Sequence, residues 1–174
     1  MEFTFETTYN QKALTAMAKG IRKTARKKRT KRSHIFGWIV IALAILLTLA
    51  DIKDSIEFTA NRIITLVAAL VIFIVLLFED KINGYVARKR LLPGTEKSKV
   101  AFTEGGFYSE TEAGKSEWNY DRILMLAETK DYFIFVFSSS HAQVYDKNNI
   151  SGGTVDEFRK FICETTGKEI ATIR

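Results

Sequence analysis

The sequence predicts an α+β membrane protein that combines a two-helix transmembrane hairpin with a curved β-sheet or barrel and a C-terminal helix. Three observations support this fold class. Two apolar blocks of 16 residues, Ile35–Ala50 and Ile63–Phe78, contain no charge and no proline. From Lys97 onward the sequence changes to short apolar or alternating runs separated by turn residues, which is typical of β-strands. A capping-box pattern then opens an amphipathic segment over residues 154–166, which indicates a final helix.

The two apolar blocks are predicted to form transmembrane helices within residues 34–80. A 16-residue helix rises about 24 Å, so the flanking residues must extend each span to about 20 residues to cross a hydrocarbon core of about 30 Å. The second block has 13 Leu, Ile, Val or Phe residues and the first has 10. The alternative is a buried helical hairpin in a soluble protein. A soluble helix normally keeps one polar stripe, however, and neither block has one.

The charges around the two blocks predict their orientation. The run Lys19–Arg32 contains nine Lys or Arg residues and no acid, whereas the segment 51–57 between the blocks carries three acids and one Lys. Basic residues beside a span stay on the cytoplasmic side of the membrane. We therefore expect a two-pass protein with both termini in the cytoplasm and a short outside loop over residues 51–57.

Eleven basic residues beside the spans are predicted to contact the membrane surface. They are Arg22, Lys23, Arg26, Lys27, Lys28, Arg29, Lys31, Arg32, Arg88, Lys89 and Arg90. Trp38, near one cytoplasmic end, is predicted to be an interfacial aromatic anchor. Without the run Lys19–Arg32, 17 basic residues face 20 acidic ones, which leaves a net charge of −3. Because the positive charge is local, a basic nucleic-acid-binding fold is not expected.

Neither apolar block contains an ionisable side chain or a GxxxG motif. Transport and proton-relay sites usually need an ionisable group within the membrane, so the spans are interpreted as an anchor. Helix pairing within the membrane is not supported by a recognised motif. The oligomeric state of the chain therefore stays open.

The segments that flank the spans are predicted to be cytoplasmic. Residues 1–33 are expected to contain a strand at Glu2–Thr7 and a basic amphipathic helix with Asn10 as its N-cap. Such a helix is expected to lie along the anionic inner leaflet. The second span is expected to continue as a helix over residues 81–94, where Pro93 prevents further extension.

Residues 95–174 are predicted to form a small β-barrel or sandwich plugged by the final helix. The strand candidates are Glu2–Thr7, Lys99–Glu104, Phe107–Thr111, Glu117–Tyr120, Ile123–Glu128, Tyr132–Ser138 and Ala142–Asp146, with a turn at Glu112–Ser116. Tyr132–Ser138 is almost entirely apolar up to its last residue and is therefore expected to be central. In the final helix, Thr154 and Glu157 form the capping box and Gly167 suits the C-cap.

Four stretches in the second half of the chain resemble the YcxB-like family. They are FTEGGFYSE, Trp118 shortly before DRI, AETKDYFIFVF and the closing EFRKFI. The family consists of small bacterial membrane proteins with two N-terminal spans and a cytoplasmic domain that resembles a pleckstrin-homology fold. The resemblance therefore implies a location in the bacterial inner (cell) membrane and a curved seven-strand sheet capped by the final helix. We further infer that Glu2–Thr7 joins this sheet.

The chain departs from the family pattern at one position. Asp146 and Lys147 stand after the last predicted strand, where the family often has a Pro-Lys pair. The resemblance rests on aromatic and turn residues, and the family has no established activity. It therefore implies no catalytic or binding residue for this chain.

No set of residues in the sequence predicts catalysis, a cofactor or a metal site. His34, His141 and Cys163 are too few and too widely separated to supply the roughly four ligands of a structural zinc site. Ser138–His141 is interpreted as a polar turn, because a catalytic triad needs its base held by a third group. The acids expected on a solvated hairpin edge are Glu104, Glu110, Glu112 and Glu117. The three residues 151–153 before the final helix are interpreted as an ordinary turn rather than an anion site.

Three functions are compatible with this organisation. The first is a membrane-anchored, non-enzymatic adaptor or regulatory module whose cytoplasmic β domain binds a protein partner or lipid headgroups. The alternative is an immunity-type protein that protects its producer from a membrane-active bacteriocin, and the less favoured third is a membrane enzyme. The expected partners are the lipid bilayer and a protein, and a homo-oligomer is compatible with the sequence. Nucleic acid is not an expected partner.

Overall fold

The computed structural model describes residues 2–50 and 59–173 and divides into two compact units. Residues 1–27 and 80–174 form the first unit, called the β domain below. Residues 28–79 form the second unit, called the helix pair. The predicted outside loop, residues 51–57, lies outside the described residues. The sequence of the β domain is therefore interrupted by the helix pair.

The described residues contain four helices, nine strands and two short 3-10 turns, which confirms the predicted α+β class. In chain order the elements are β1 (Phe3–Thr8), α1 (Gln11–Lys23), α2 (Lys27–Ala50), α3 (Ala60–Lys89), β2 (Lys97–Thr103), β3 (Gly106–Thr111), β4 (Gly114–Trp118), a 3-10 turn (Tyr120–Arg122), β5 (Met125–Glu128), β6 (Tyr132–Val136), β7 (Ala142–Asp146), a 3-10 turn (Lys147–Asn149), β8 (Ile150–Ser151), α4 (Val155–Thr166) and β9 (Ile170–Thr172).

The strands form two sheets. The first has the order β4-β3-β2-β1-β8 and the second has the order β7-β6-β5-β9. All neighbouring strands are antiparallel except β5 and β9, which are parallel. β1 pairs with β2 from Phe3 opposite Phe102 to Thr8 opposite Lys97. The N-terminal strand therefore joins the sheet as inferred, although both long helices separate it from its neighbour in the sequence.

Phe158 of α4 lies at the centre of an aromatic core between the two sheets. Its ring is 4.6 Å from that of Phe5 and 4.9 Å from that of Phe102, both in the first sheet. It is also 5.1 Å from the ring of Phe133 in the second sheet. All four rings are fully buried. Since each phenylalanine buries a large apolar area, this contact between α4 and both sheets contributes much of the stability of the β domain.

β6 is buried on both faces, which explains its continuous apolar sequence. Phe133 and Phe135 point into the aromatic core, whereas Ile134 and Val136 lie in a second cluster together with Ile21 of α1. A Cβ atom at Gly20 would lie 2.6 Å from Ile134 Cγ2, so α1 approaches the sheet at a residue without a side chain. The prediction that this strand is central is therefore confirmed.

The ends of α1 and α4 are capped as the sequence predicts. The side chain of Asn10 accepts a hydrogen bond of 2.9 Å from the Ala13 N–H at the start of α1. The Thr154 hydroxyl accepts from the Glu157 N–H, and the Glu157 carboxylate accepts from the Thr154 N–H. α4 ends at Gly167, whose φ of +63° is the left-handed conformation that favours glycine.

Two predicted element boundaries around β4 are wrong. The turn expected at Glu112–Ser116 is limited to two residues, because Gly114–Ser116 already pair with β3 as part of β4. The strand expected at Glu117–Tyr120 ends at Trp118, and Tyr120 begins a 3-10 turn. The Tyr120 hydroxyl donates a 2.6 Å hydrogen bond to the Thr103 carbonyl, which holds this turn against the β2–β3 hairpin.

The helix expected over residues 81–94 ends early, at Lys89. Arg90 follows in turn conformation, and the N–H groups of Arg90 and Leu91 donate to the carbonyls of Ala87 and Arg88. The prediction also missed two strands, β8 and β9. They contain two and three residues, which is too short for a periodic pattern to be recognised.

Candidate membrane-binding site and sheet groove

The two long helices carry a large exposed apolar surface. Both are long and apolar enough to cross a membrane, and an 18-residue stretch within each helix has a mean hydropathy of 1.8 in α2 and 2.6 in α3. Large apolar side chains on them are exposed, and Leu47 and Ile64 are each 65% exposed. Hydrating such a contiguous apolar surface is unfavourable, whereas hydrocarbon solvates it. The helix pair is therefore suited to a lipid environment.

α2 and α3 contact each other within the helix pair through a glycine and two aromatic rings. A Cβ atom at Gly37 would lie 2.9 Å from Leu76 Cδ1, so the two helices approach closely at this position. The rings of Trp38 and Phe73 meet edge to face with their centroids 5.9 Å apart. Small residues at helix contacts allow such close approach in membranes. Trp38, predicted as an interfacial anchor, is 48% exposed and also forms part of the contact between the helices.

The side chains of His34 of α2 and Glu79 of α3 are in hydrogen-bond contact within the helix pair. His34 Nε2 lies 2.7 Å from Glu79 Oε2, and both side chains are about 30% exposed. The two residues flank the apolar blocks Ile35–Ala50 and Ile63–Phe78. The pair therefore connects the two helices at the ends of their apolar segments.

Ten of the eleven basic residues predicted to contact the membrane surface are exposed. Five of them lie in the first turns of α2: Lys27, Lys28, Arg29, Lys31 and Arg32. Arg88 and Lys89 lie in the last turn of α3, and Lys89 Nζ lies 4.8 Å from the centroid of the Tyr85 ring. Cations in the last turn of a helix interact favourably with its dipole, whereas cations in the first turn do not. The basic start of α2 is therefore not explained by the stability of that helix.

Arg22 is the exception among the predicted membrane-surface residues. Its guanidinium donates two hydrogen bonds of 2.6 Å to the carboxylate of Asp80. The two side chains are only 18% and 15% exposed, so the charge of Arg22 is largely committed inside the β domain. Arg26, by contrast, is exposed and donates a 2.5 Å hydrogen bond from Nε to the Ser139 carbonyl in the β6–β7 turn.

The expectation that α1 lies along the inner leaflet is wrong for its apolar face. Ala13, Leu14, Ala16 and Ile21 are buried, and α1 packs across β6 and β7. The amphipathic pattern was correctly recognised, but the sheet rather than lipid covers it. The sequence alone does not distinguish the two, because both surfaces bury the same apolar stripe.

An open, polar groove lies on the first sheet, at the end where β1, β2 and β3 meet. It has a volume of about 360 Å³ and is lined by Glu6, Thr7, Thr8, Lys97, Ser98, Lys99, Glu110, Thr111, Glu112 and Asn149. The hydroxyls of Ser98 and Ser109 lie 2.9 Å apart and satisfy each other beneath it. The lining residues carry three carboxylates and two ammonium groups, so the groove has no excess of positive charge.

A cluster of charges connects α4 to the second sheet. Lys147 Nζ donates to Glu128 Oε2 at 2.6 Å and to the Thr129 carbonyl at 2.8 Å, and it lies 4.5 Å from the Phe133 ring centroid. Arg159 of α4 also donates to Glu128, at 3.0 Å. Burial acts to raise the pKa of Glu128, but the hydrogen bonds from Lys147 and Arg159 outweigh it and hold this pKa below its ordinary value.

The Ser138–His141 segment forms a turn in which the serines satisfy the backbone. Ser138 Oγ accepts hydrogen bonds from the N–H groups of Ser140 and His141. The His141 ring stacks on Trp118 at 5.7 Å, and its burial lowers its pKa. Within residues 2–50 and 59–173, no three His, Cys, Asp or Glu side chains gather in a way that holds a metal ion.

Sequence reasoning missed the acidic partners Glu79, Asp80 and Glu128. Glu79 and Asp80 follow directly after the second apolar block, in a region otherwise rich in cations. That contrast was the available signal, and it indicates pairing with the basic residues before the first block. Glu128 gave no comparable signal, since its partners Lys147 and Arg159 are distant in sequence.

Comparison with protein families supports the resemblance found in the sequence. No curated protein matches the chain. A family model described as YcxB-like protein matches residues 102–162, just over a third of the chain. The matched segment runs from Phe102 in β2 to Ile162 in α4 and includes the aromatic residues of the core contributed by β3 and β6. The family resemblance of the sequence is therefore confirmed: residues 102–162 of this chain match the YcxB-like protein family.

Proposed function

We propose that the protein is a membrane-anchored adaptor or regulatory module without catalytic activity of its own. In this proposal the helix pair holds it in the bacterial inner membrane as a two-pass anchor. Both termini and the β domain lie in the cytoplasm, and residues 51–57 lie outside. The β domain binds a protein partner, and lipid headgroups are the competing ligand.

The observation that carries the proposal is the pairing of β1 with β2. These strands are neighbours in the sheet, yet α2 and α3 lie between them in the sequence. The β domain completes its sheet only with chain segments from both sides of the helix pair. A domain joined to a membrane anchor by two connections stays at the membrane surface, which suits a module that recruits or senses a partner there.

The charges at the ends of the long helices support the proposed orientation. Five exposed cations in the first turns of α2 oppose the dipole of that helix. Their position is explained if they interact with anionic headgroups on the cytoplasmic side, at about 1 kcal/mol per residue. Arg88 and Lys89 at the end of α3 extend the same charge to the second helix.

The strand order supports a pleckstrin-homology-like fold for the β domain. β1 to β4 form one antiparallel meander, β5 to β7 form a second, and α4 packs Phe158 and Ile162 between the two sheets. The family resemblance implies a curved seven-strand sheet capped by the final helix. Strands β1 to β7 and α4 are consistent with it, and β8, β9 and α1 are additions. Domains of this kind present grooves and sheet edges for binding, so an adaptor role is consistent with the architecture.

The groove on the first sheet favours a protein partner over an anionic lipid. Its three carboxylates outnumber its two ammonium groups, and an anionic headgroup would meet net repulsion. A peptide with both charges and main-chain donors would find matching groups along Lys97, Lys99, Glu110 and Glu112.

Site-specific photo-crosslinking in membranes of the producing bacterium tests the proposal. A photoreactive residue would replace Lys97 or Glu112 at the groove, and matched controls would replace Lys160 or Glu164 on the exposed face of α4. We expect both groove positions to capture the same protein and both α4 positions to capture none. Lipid adducts from the groove positions would identify lipid headgroups, rather than a protein, as the ligand of the groove. The absence of any groove-specific adduct would contradict the proposal.

A further inference from the structure

β4 is an open edge of the first sheet. It pairs with β3 on one side, and no strand of the described chain pairs with its other side. Its first four residues, Gly114–Glu117, are all exposed. An open edge presents a row of unpaired main-chain N–H and C=O groups, which can template pairing with another strand.

The register of the β3–β4 hairpin shows which groups point outward. Glu112 and Ala113 form a two-residue turn, so Thr111 and Gly114 form the first hydrogen-bonded pair. Hydrogen-bonded pairs then recur at every second position, which directs the main-chain groups of Ser116 toward β3. The N–H and C=O groups of Lys115 and Glu117 are consequently directed toward the open side.

A row of alternating charges crosses the first sheet and ends at this edge. Glu6 lies 3.6 Å from Lys99, Lys99 stands opposite Glu110, and Glu110 lies 3.0 Å from Lys115. The row therefore runs from an acid on β1 to a cation on β4. Glu117, two residues further along the edge, has no ion pair within the described part of the chain.

We propose that β4 pairs antiparallel with β4 of a second copy of this chain, with the two-fold axis at Ser116. In this register Lys115 of each copy stands directly opposite Glu117 of the other, and each such pair exchanges two main-chain hydrogen bonds. The pairing extends the first sheet into a continuous sheet across both copies. It goes beyond the proposed adaptor role, because it identifies a second copy as the occupant of this edge.

Charge complementarity selects this register among the neighbouring ones. An antiparallel pair can form hydrogen bonds only between residues whose main-chain groups point outward, so the axis moves in steps of one residue. An axis at Lys115 places two ammonium groups opposite each other, and an axis at Glu117 does the same with two carboxylates. Like charges directly opposite destabilise a strand pair, whereas opposite charges stabilise it.

The residues on the other face of β4 also fit this register. At the two-fold axis, Ser116 of one copy stands opposite Ser116 of the other in a non-hydrogen-bonded pair. The Cα atoms of such a pair are about 4.5 Å apart, so the side chains there must be small. Gly114 stands opposite Trp118 of the second copy, and an aromatic ring opposite an edge glycine covers its exposed backbone. The ring of Trp118 is already held by Phe137 at 4.9 Å and by His141 at 5.7 Å.

A contact of this size is weak for molecules in free solution. Four main-chain hydrogen bonds and two exposed ion pairs contribute little against the entropy of association. Confinement to one membrane raises the effective concentration of the two copies and makes a small contact sufficient. This last step rests on the proposed membrane anchoring, whereas the register of the strand pair does not.

Charge swapping on the full chain in lipid vesicles is the first test. K115E places two carboxylates opposite each other, E117K places two ammonium groups opposite each other, and the double variant restores opposite charges. We expect each single variant to raise the dimer dissociation constant, measured by energy transfer between labelled copies, about tenfold. The double variant should return to within about threefold of the parent, although its new carboxylate at position 115 still faces Glu110 in its own chain. K160E, which reverses an exposed charge on α4 away from both the edge and the groove, should leave the dimer unchanged.

Disulfide crosslinking fixes the register independently. In a C163S background, S116C should form a dimeric crosslink on mild oxidation of membranes, because Cα atoms about 4.5 Å apart accept a disulfide. K115C should not, because its two copies are diagonal neighbours about 7–8 Å apart. A monomeric parent chain in the vesicles, or a dimer insensitive to both single charge reversals, would overturn the proposal. If the proposed membrane anchoring is wrong, the protein would instead be found in the soluble fraction, which distinguishes this outcome from failure of the strand pairing.

Discussion

Arg22 of α1 and Asp80 of α3 are joined by two hydrogen bonds of 2.6 Å, although 58 positions separate them in the sequence. Both residues belong to the β domain, and both side chains are largely buried. Gln11 adds a 3.1 Å hydrogen bond to the Lys81 carbonyl. The last turns of α3 are thereby attached to α1, and through α1 to the second sheet. The segment that re-enters the β domain from the helix pair is thus held by specific polar contacts.

Removing either partner of this ion pair should destabilise the β domain. In R22Q the largely buried carboxylate of Asp80 loses a charged donor, and in D80N the guanidinium of Arg22 loses its counter-charge. We expect each variant to lower the free energy of unfolding by about 1–3 kcal/mol, less than for a fully buried pair. Denaturant unfolding of the full chain in detergent measures this. K23Q, which removes a neighbouring exposed cation, is the control and should change stability by less than about 0.5 kcal/mol.

A double-mutant cycle separates the pair from its surroundings. If the two hydrogen bonds act as one unit, the double variant R22Q/D80N should lose less free energy of unfolding than the two single variants lose in sum. Additive costs would show that the pair makes no specific contribution to stability.

Gly84 is predicted to be intolerant of any side chain. It lies on α3 against α1, and a Cβ atom there would be 2.7 Å from the Thr15 main-chain N. Alanine favours helix formation over glycine by about 1 kcal/mol, so G84A would stabilise an isolated helix. In this protein the contact with the backbone of α1 cannot relax by a side-chain rotation, and we expect a net loss of about 1–3 kcal/mol. Thermal unfolding of G84A measures this.

G105A is the matched control for that substitution. A Cβ atom at Gly105 meets nothing within 4 Å, and its φ is not in the left-handed region. We therefore expect G105A to unfold like the parent. A G84A variant as stable as G105A would show that α1 and α3 do not pack as closely as described.

Glu128 should make the stability of the β domain dependent on acid pH. Its folded-state pKa lies below its ordinary value of 4.5, so the unfolded chain binds a proton more readily than the folded one. The stabilising contribution is therefore fully present above about pH 4.5 and is lost as the pH falls through the folded-state pKa. In E128Q the charge of Lys147, which is 10% exposed, loses its counter-charge. We expect E128Q to lower the free energy of unfolding by about 1–3 kcal/mol at pH 7. Below pH 4.5, this free energy should decline less in E128Q than in the parent.

E164Q is the control for the acid titration. Glu164 contacts Lys160 at 3.9 Å with both side chains more than two thirds exposed, so its removal should leave both stability and its pH dependence unchanged. Chemical unfolding at pH 3.5, 5 and 7 compares the three proteins. An E128Q variant whose stability declines with acid as steeply as that of the parent would exclude Glu128 as the titrating group.

The sequence predicted the local structure of this protein better than its long-range contacts. α4 was predicted from Thr154 to its last turn because its cap, its apolar face and its terminal glycine are all encoded locally. Strand β6 was predicted to be central because burial on both faces leaves an unbroken apolar run. The same apolar stripe on α1 was correctly recognised but assigned to lipid. An apolar stripe on a helix indicates that this face is buried, but it does not indicate whether protein or lipid covers it.

The polar contacts were the part that the sequence did not predict. Arg22 was grouped with ten other cations, because nothing in its immediate neighbours distinguishes it from them. Arg22 is buried because the end of α3 lies against α1 in the folded protein. These two segments are far apart in the sequence. Lys147 has the position of the lysine in the Pro-Lys pair of the family, and its local sequence does not indicate that Glu128 neutralises its charge. Such contacts depend on chain segments that meet only in the folded protein.

The basic start of α2 should determine the orientation of the anchor. Replacing five cations by Gln tests this: Lys27, Lys28, Arg29, Lys31 and Arg32. The matched control replaces five cations of the β domain by Gln: Lys97, Lys99, Lys130, Lys160 and Lys168. Both variants lose the same charge, but only the first loses it beside a span. Each cation near an anionic leaflet is worth about 1 kcal/mol, so we expect the first variant to insert in mixed orientations and the control to insert like the parent.

Cysteine labelling in intact cells measures this outcome. In a C163S background, S55C reports on the segment between the two long helices and E164C reports on α4. In the parent and the control, a membrane-impermeant maleimide should label S55C and should reach E164C only after permeabilisation. In the first variant a substantial fraction of E164C should become labelled in intact cells. Unchanged labelling would mean that the remaining cations, Arg88 and Lys89 among them, suffice to orient the chain. This outcome is physically reasonable because the cations beside both spans favour the same orientation. The basic start of α2 would then have to be explained by its contacts with the membrane surface rather than by topology, and loss of the variant from the membrane fraction would measure that contribution.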